Sequence, residues 1–199
     1  MAYPTVSAPY GLIPVNLIGG QVFAGSTRQF PIASGYNTAI GFGDVVKLAS
    51  GTLVKDTGTT TATPVGVFMG VSFTSPVTKQ KVFSQQWPAG TVAADAQAVV
   101  CDDPDVLFKV ALVSGTTVIA GYAYASLVGL NASLVQNAVN TTTGDSKVAV
   151  LGSSAATTNT LPVRVVDVVR ETADSSGNFT EVIVKWNAGM HQYNNATGA

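Results

Sequence analysis

Between residues 64 and 113 four short strand-like apolar runs follow one another at short intervals, with no helical pattern between them. The first run is Pro64-Val-Gly-Val-Phe-Met-Gly-Val-Ser-Phe73. Side chains alternate along a strand, so Val65, Val67, Met69, Val71 and Phe73 are expected on one face, with Gly66, Phe68, Gly70 and Ser72 on the other. Glycine within a strand marks a bulge, a bend or close approach of another backbone. Gly66 and Gly70 together point to a strand curling round a small barrel. Runs at 81–87, 96–101 and 107–113 follow, separated by Thr74-Ser-Pro76, Pro88-Ala-Gly90 and Asp102-Asp-Pro-Asp105. Strands this short and this closely spaced predict an all-β chain, either a small barrel or a sandwich.

The rest of the chain extends that reading. Residues 1–20 hold Pro4, Pro9 and Pro14, which disfavour helix, and end in Gly19-Gly20. They are expected as an extended N-terminal arm, lying either along the chain's own body or on a neighbouring subunit. Residues 21–116 are expected to form the β-barrel or sandwich core, with strands at 27–32, 45–48 and 52–55 before the central run. Residues 117–199 form a second β portion sharing that core. Within it, 119–130 reads as helix or strand, 132–135 and 147–151 as strands, and 153–160 as a mobile connector. A C-terminal hairpin pairs 163–168 with 181–186. Its apolar positions change parity at Val165–Val166, which predicts a bulge there. Its return strand buries Val182, Val184 and Trp186 and exposes Glu181 and Lys185. The tail, 191–199, is polar and expected to fray unless a partner holds it.

Length and charge narrow the functional classes. A chain of 199 residues buries roughly 70% of its unfolded surface and needs no staples to fold. Only 11% of the residues are charged and the net charge is −1, against ~25% charged in ordinary domains. Such a surface suits a protein packed against copies of itself or of a partner. Arg28, Lys47, Lys79 and Arg164 are scattered singly, so no nucleic-acid stripe is expected. The early apolar run 11–18 is broken by Pro14 and Asn16 and falls short of the ~20 residues of a membrane span. No basic, apolar leader is visible, and a soluble protein made in a cytoplasm is expected.

Chemistry is sparsely represented. The single cysteine, Cys101, excludes an internal disulfide and reads as a small buried hydrophobe. The single histidine, His191, reads as a surface or interface residue, and nothing around Cys101 points to an activated thiol that it would serve. Asp102, Asp103 and Asp105 offer carboxylates to a cation, but Pro104 interrupts them and the group reads as a turn. Gly41-Phe-Gly43 precedes a strand and so fails the context of a phosphate loop. The Asn-x-Ser/Thr triplets at Asn131, Asn140, Asn178 and Asn195 read as by-products of a polar surface. No enzyme, cofactor or metal is expected.

One set of segments has a familiar look: Tyr10-Gly-Leu-Ile-Pro-Val-Asn-Leu-Ile-Gly-Gly20, Phe23-Ala-Gly-Ser-Thr-Arg28, Gly43-Asp-Val-Val-Lys47, Pro64-Val-Gly-Val-Phe68, Phe83-Ser-Gln-Gln-Trp-Pro88, Val100-Cys-Asp-Asp-Pro-Asp105 and His191-Gln-Tyr193. Through them the chain resembles small head proteins of tailed bacteriophages of aquatic bacteria and cyanobacteria, of the capsid cement or decoration type. The resemblance implies a β-rich subunit, often trimeric, on the outer surface of the virion capsid, bound to the major capsid protein and to its own copies. It also implies synthesis in the bacterial host cytoplasm. The residues expected at such contacts are Tyr3, Tyr10, Leu12, Ile13 and Leu17 of the arm and Trp186, Met190, His191 and Tyr193 of the tail, being apolar or aromatic in segments with little local core to join. The alternatives are a tail or neck protein of the same virion, or a carbohydrate-binding module using Trp87, Trp186 and the tyrosines.

Overall fold

A computed structural model describes residues 8–114, 117–118, 126–173 and 180–197. In chain order the strands are β1 (Ile13–Leu17), β2 (Arg28–Pro31), β3 (Val45–Ala49), β4 (Thr52–Lys55), β5 (Gly66–Thr74), β6 (Lys81–Ser84) and β7 (Gln97–Cys101). They continue with β8 (Val106–Ser114), β9 (Thr117–Val118), β10 (Asn131–Ala132), β11 (Leu134–Val135), β12 (Ala149–Leu151), β13 (Val163–Val168) and β14 (Glu181–Trp186). The protein is all-β, with short 3-10 turns at Gly152–Ser154 and Gln192–Asn194. The segment 119–125 and most of the turn 173–178 lie outside the described residues, so the ambiguity at 119–130 stands for that part.

The strands form two sheets. One has the order β10-β13-β14-β8-β12-β11, with β1 and β9 also on β8. Its two ends, β10 and β11, are separated by Ser133 alone, so residues 131–135 pair with β13 on one side and β12 on the other and nearly close a barrel. Ser133 sits at the corner: its N–H donates to Ser154 Oγ at 2.9 Å, and its carbonyl accepts from Leu151 N–H at 3.0 Å. Alternate residues point inward, and Phe108, Val110, Leu112, Val163, Val165, Val182, Val184 and Trp186 fill the interior. The parity change in β13 is a bulge: Val165 faces Val184 and Asp167 faces Ile183, leaving Val166 unpaired.

The other sheet has the order β2-β7-β5-β3-β4, with β6 on the far part of β5. Here the expected alternation fails. The β5–β7 register shifts between Phe68 and Gly70, so Met69 is a bulge. Phe68 therefore joins Val71 and Phe73 in this sheet's own core beside Trp87, while Val67 and Met69 pack with the barrel. A slip of one residue sends every later side chain to the opposite face. One strand thus feeds two cores. Both glycines have the roles their positions implied. A Cβ on Gly66 would lie 2.1 Å from the Cys101 carbonyl oxygen, and Gly70 adopts φ +148° directly after the bulge.

The described part of the arm lies on the chain's own body. β1 pairs antiparallel with β8, with Ile13 opposite Lys109 and Leu17 opposite Val106, and Leu12 is fully buried in the barrel core. The connector 153–160 is anchored by the 3-10 turn and by Ala156, which exchanges backbone hydrogen bonds with Asn131.

Candidate functional site

The surface available to a partner is set by what the two ends of the chain do. At the N-terminal end, the Tyr10 hydroxyl donates to Glu181 Oε1, and Lys109 Nζ lies 3.2 Å from the same oxygen. Lys109 also sits 5.8 Å from the centre of the Tyr10 ring. Burial first, and then the Glu181 contact, holds the Tyr10 hydroxyl far above its usual range. Glu181 is buried, where alternation along β14 predicted exposure. A carboxylate is tolerated there because a cation and a hydroxyl both meet it.

At the C-terminal end, the chain leaves β14 as a strap over both sheets. The Asn187 side chain donates to the carbonyls of Asn159 and Leu161, each at 2.9 Å. Gln192 then acts as a substitute strand partner. Its Oε1 accepts from Leu48 N–H at 2.8 Å and its Nε2 donates to the Leu48 carbonyl at 3.1 Å, on the edge of β3 that β5 leaves free beyond Val46. Its backbone N–H donates to the Pro64 carbonyl at 2.8 Å. The Tyr193 hydroxyl donates to Asp102 Oδ2 at 2.8 Å, and Arg28 Nε reaches that carboxylate oxygen at 3.2 Å. The Arg28 guanidinium lies 5.6 Å from the Tyr193 ring centre. Burial, followed by the Asp102 contact, pushes the Tyr193 hydroxyl up to about 12. Polar though it is, this part of the tail is held by the chain itself.

These ends reassign the expected contact residues. Leu12, Trp186 and His191 are buried in the chain's own body and leave no side-chain surface for a partner. No neighbouring residue in sequence offers them a core; groups distant in sequence supply it. Tyr10, Ile13, Leu17 and Met190 are half-buried, and Tyr193 is exposed. Tyr3 lies outside the described residues. His191, expected at the surface, is 1% exposed. Asp102 is taken by Tyr193 and Arg28, and Asp103 Oδ1 accepts from Asp105 N–H at 2.8 Å, the hydrogen bond of a tight turn. Among the described residues no three His, Cys, Asp or Glu side chains converge as metal ligands do.

Among the described residues the arm turns Val15 and Ile18 to solvent, but the most exposed large apolar side chains lie elsewhere: Val77 and Phe83 on the β5–β6 hairpin, 86% and 82% exposed, with Val22 and Val92 on loops. Phe83 stands opposite Ser72 on the outer face of its sheet, and among the described residues β6 pairs with β5 alone. Its exposure follows from the parity of a short edge strand whose Val82 turns inward, a signal present in the sequence but read there only as part of a longer strand. Trp87 and Trp186 are both buried, so neither presents a ring face to a sugar.

Comparison of the chain with known protein families, with curated proteins and with solved structures found no match.

Proposed function

We propose that this chain is a virion structural protein of a tailed bacteriophage, a capsid cement or decoration subunit. It binds the outer surface of the head between capsomers, in contact with the major capsid protein and with its own copies as a trimer. The observation that carries the reading is the surface. A chain with 11% charged residues turns Phe83 and Val77 to solvent on one edge hairpin. Exposed aromatic and apolar side chains make adhesive surface, here flanked by Lys79 and by the Lys81–Asp95 ion pair, and symmetry multiplies a modest contact. The resemblance of its sequence segments to phage head proteins supports the same reading. So does the burial of both tryptophans, which disfavours a glycan-stacking module. The work of such a subunit is burial of area across a junction, and standard specific contacts bury ~1,600 Å².

Copy number in purified particles tests it. Hundreds of copies per virion, with density on the outer shell by electron microscopy, is the expected result. A handful of copies at the neck or tail would assign the chain to the tail, and absence from particles would overturn a virion role.

A further inference from the structure

His191 is the one histidine of the chain, and it sits at the centre of the strap. Its Nδ1 accepts from the Tyr193 backbone N–H at 3.3 Å. An acceptor nitrogen carries no proton, so the ring is the neutral tautomer with hydrogen on Nε2. That nitrogen is buried and, among the described residues, meets no hydrogen-bond acceptor at bonding distance, although the carbonyls of Val65 and Asp102 face the ring. The Tyr193 ring packs edge-on at 5.1 Å.

We propose that residues 187–194 form an acid-sensitive strap, docked while the His191 imidazole is neutral and released from the β2–β7 sheet when the ring takes up a proton. Protonation places an N–H on Nδ1 against the N–H of Tyr193, donor facing donor, and leaves a cation with 1% exposure. The charged groups around the ring come from several elements. Asp102 and Asp103, in the turn after β7, favour the proton. Arg28 on β2 offsets Asp102, which it meets at 3.2 Å. Asp105, Arg164 and Lys185 line the same cavity as His191, about 530 Å³ and bounded also by Trp186 and Asn194. Burial outweighs the two aspartates and lowers the ring's affinity for a proton below its usual value. The released strap therefore binds protons more readily than the docked one. Docking is at full strength above about pH 6.5, the free-histidine value, and weakens as pH falls from there toward the docked midpoint, about tenfold for each unit of depression. This inference does not depend on where the chain acts.

Because the histidine is unique, proton NMR of the full chain reads it without assignment by mutation. Between about pH 7.5 and 4.5, the His191 ring is expected to titrate below its free value while the Tyr193 and Gln192 amides lose protection from exchange in the same range. His191→Asn supplies a neutral acceptor that acid does not reach, and it is expected to keep those amides protected through that range, with His191→Gln as the second variant should the shorter side chain fail to dock. Amides that stay protected while the wild-type ring titrates would overturn the proposal. So would release of a docked neutral variant at the wild-type pH, which would transfer the sensitivity to Asp102.

Discussion

Lys55 Nζ lies 2.9 Å from Asp44 Oδ2, with 6% and 0% of the two side chains exposed. The same carboxylate accepts from Gly41 N–H at 2.8 Å and from Ser146 Oγ at 2.6 Å. Ser146 precedes β12 of the barrel, whereas Asp44 and Lys55 belong to the other sheet, so this ion pair is also a joint between the two. Removing Asp44 strands a buried ammonium, an amide and a hydroxyl together; removing Lys55 leaves Asp44 with two donors. Asp44→Ala is expected to cost about 3–5 kcal/mol and Lys55→Met distinctly less. Urea unfolding midpoints check the order, and equal losses would remove the joint from this account.

Gly66 has no room for a side chain. The Cβ of an alanine there would meet the Cys101 carbonyl oxygen at 2.1 Å, a backbone atom that moves only with β7. Gly66→Ala is expected to destabilise by more than about 3 kcal/mol, the upper end of ordinary single-site effects. Gly19→Ala, where a Cβ meets nothing within 4 Å among the described residues, is expected to stay within about 0.5 kcal/mol of wild type. Thermal unfolding of the pair is decisive.

Cys101 is fully buried, and burial is the main cause pushing its thiol up to about 12, with Asp103 and Asp102 adding repulsion. The thiolate is the reactive species. Native protein at pH 8 is therefore expected to react with an aromatic disulfide reagent only on the timescale of unfolding, and at once in denaturant. Prompt reaction of the native chain would contradict the packing of β7 against Gly66.

Phe83→Ser removes an exposed ring and no buried contact of the core. Folding stability is expected to stay within about 0.5 kcal/mol. If the β5–β6 hairpin is adhesive surface, occupancy on capsids lacking the subunit falls at matched concentration. Pull-down on such capsids, with Val77→Ser as a parallel variant, measures it. Unchanged occupancy by both would exclude the hairpin from the contact.

Much of the architecture was legible along the chain. Period-two apolar runs and turn residues located most of the strands, and the parity break at Val165–Val166 located the bulge in β13, because both are local properties of a pleated backbone. The bulge at Met69 was legible only as one of the readings that a glycine at position 70 allows. Phe68 interrupts the alternation without showing where a residue is extra, and only the pairing of β5 with β7 places it at Met69. The same limit applies to the contact residues. Leu12, Trp186 and His191 resemble adhesive ends when set beside their sequence neighbours, and β8, the β3 edge and the Asp102 turn are what bury them.

The order of residues on its own determined that this chain is built of short strands, with little charge and one cysteine placed to be buried, since backbone alternation and burial preference act residue by residue. The tertiary structure alone decided which apolar side chains face water, where Glu181 finds its cation and that the polar tail is fastened down. Those outcomes depend on groups brought together from distant parts of the chain, such as Gln192 with Leu48 (144 apart) and Tyr10 with Glu181 (171 apart). Their balance of desolvation against pairing is settled only when both partners are in place.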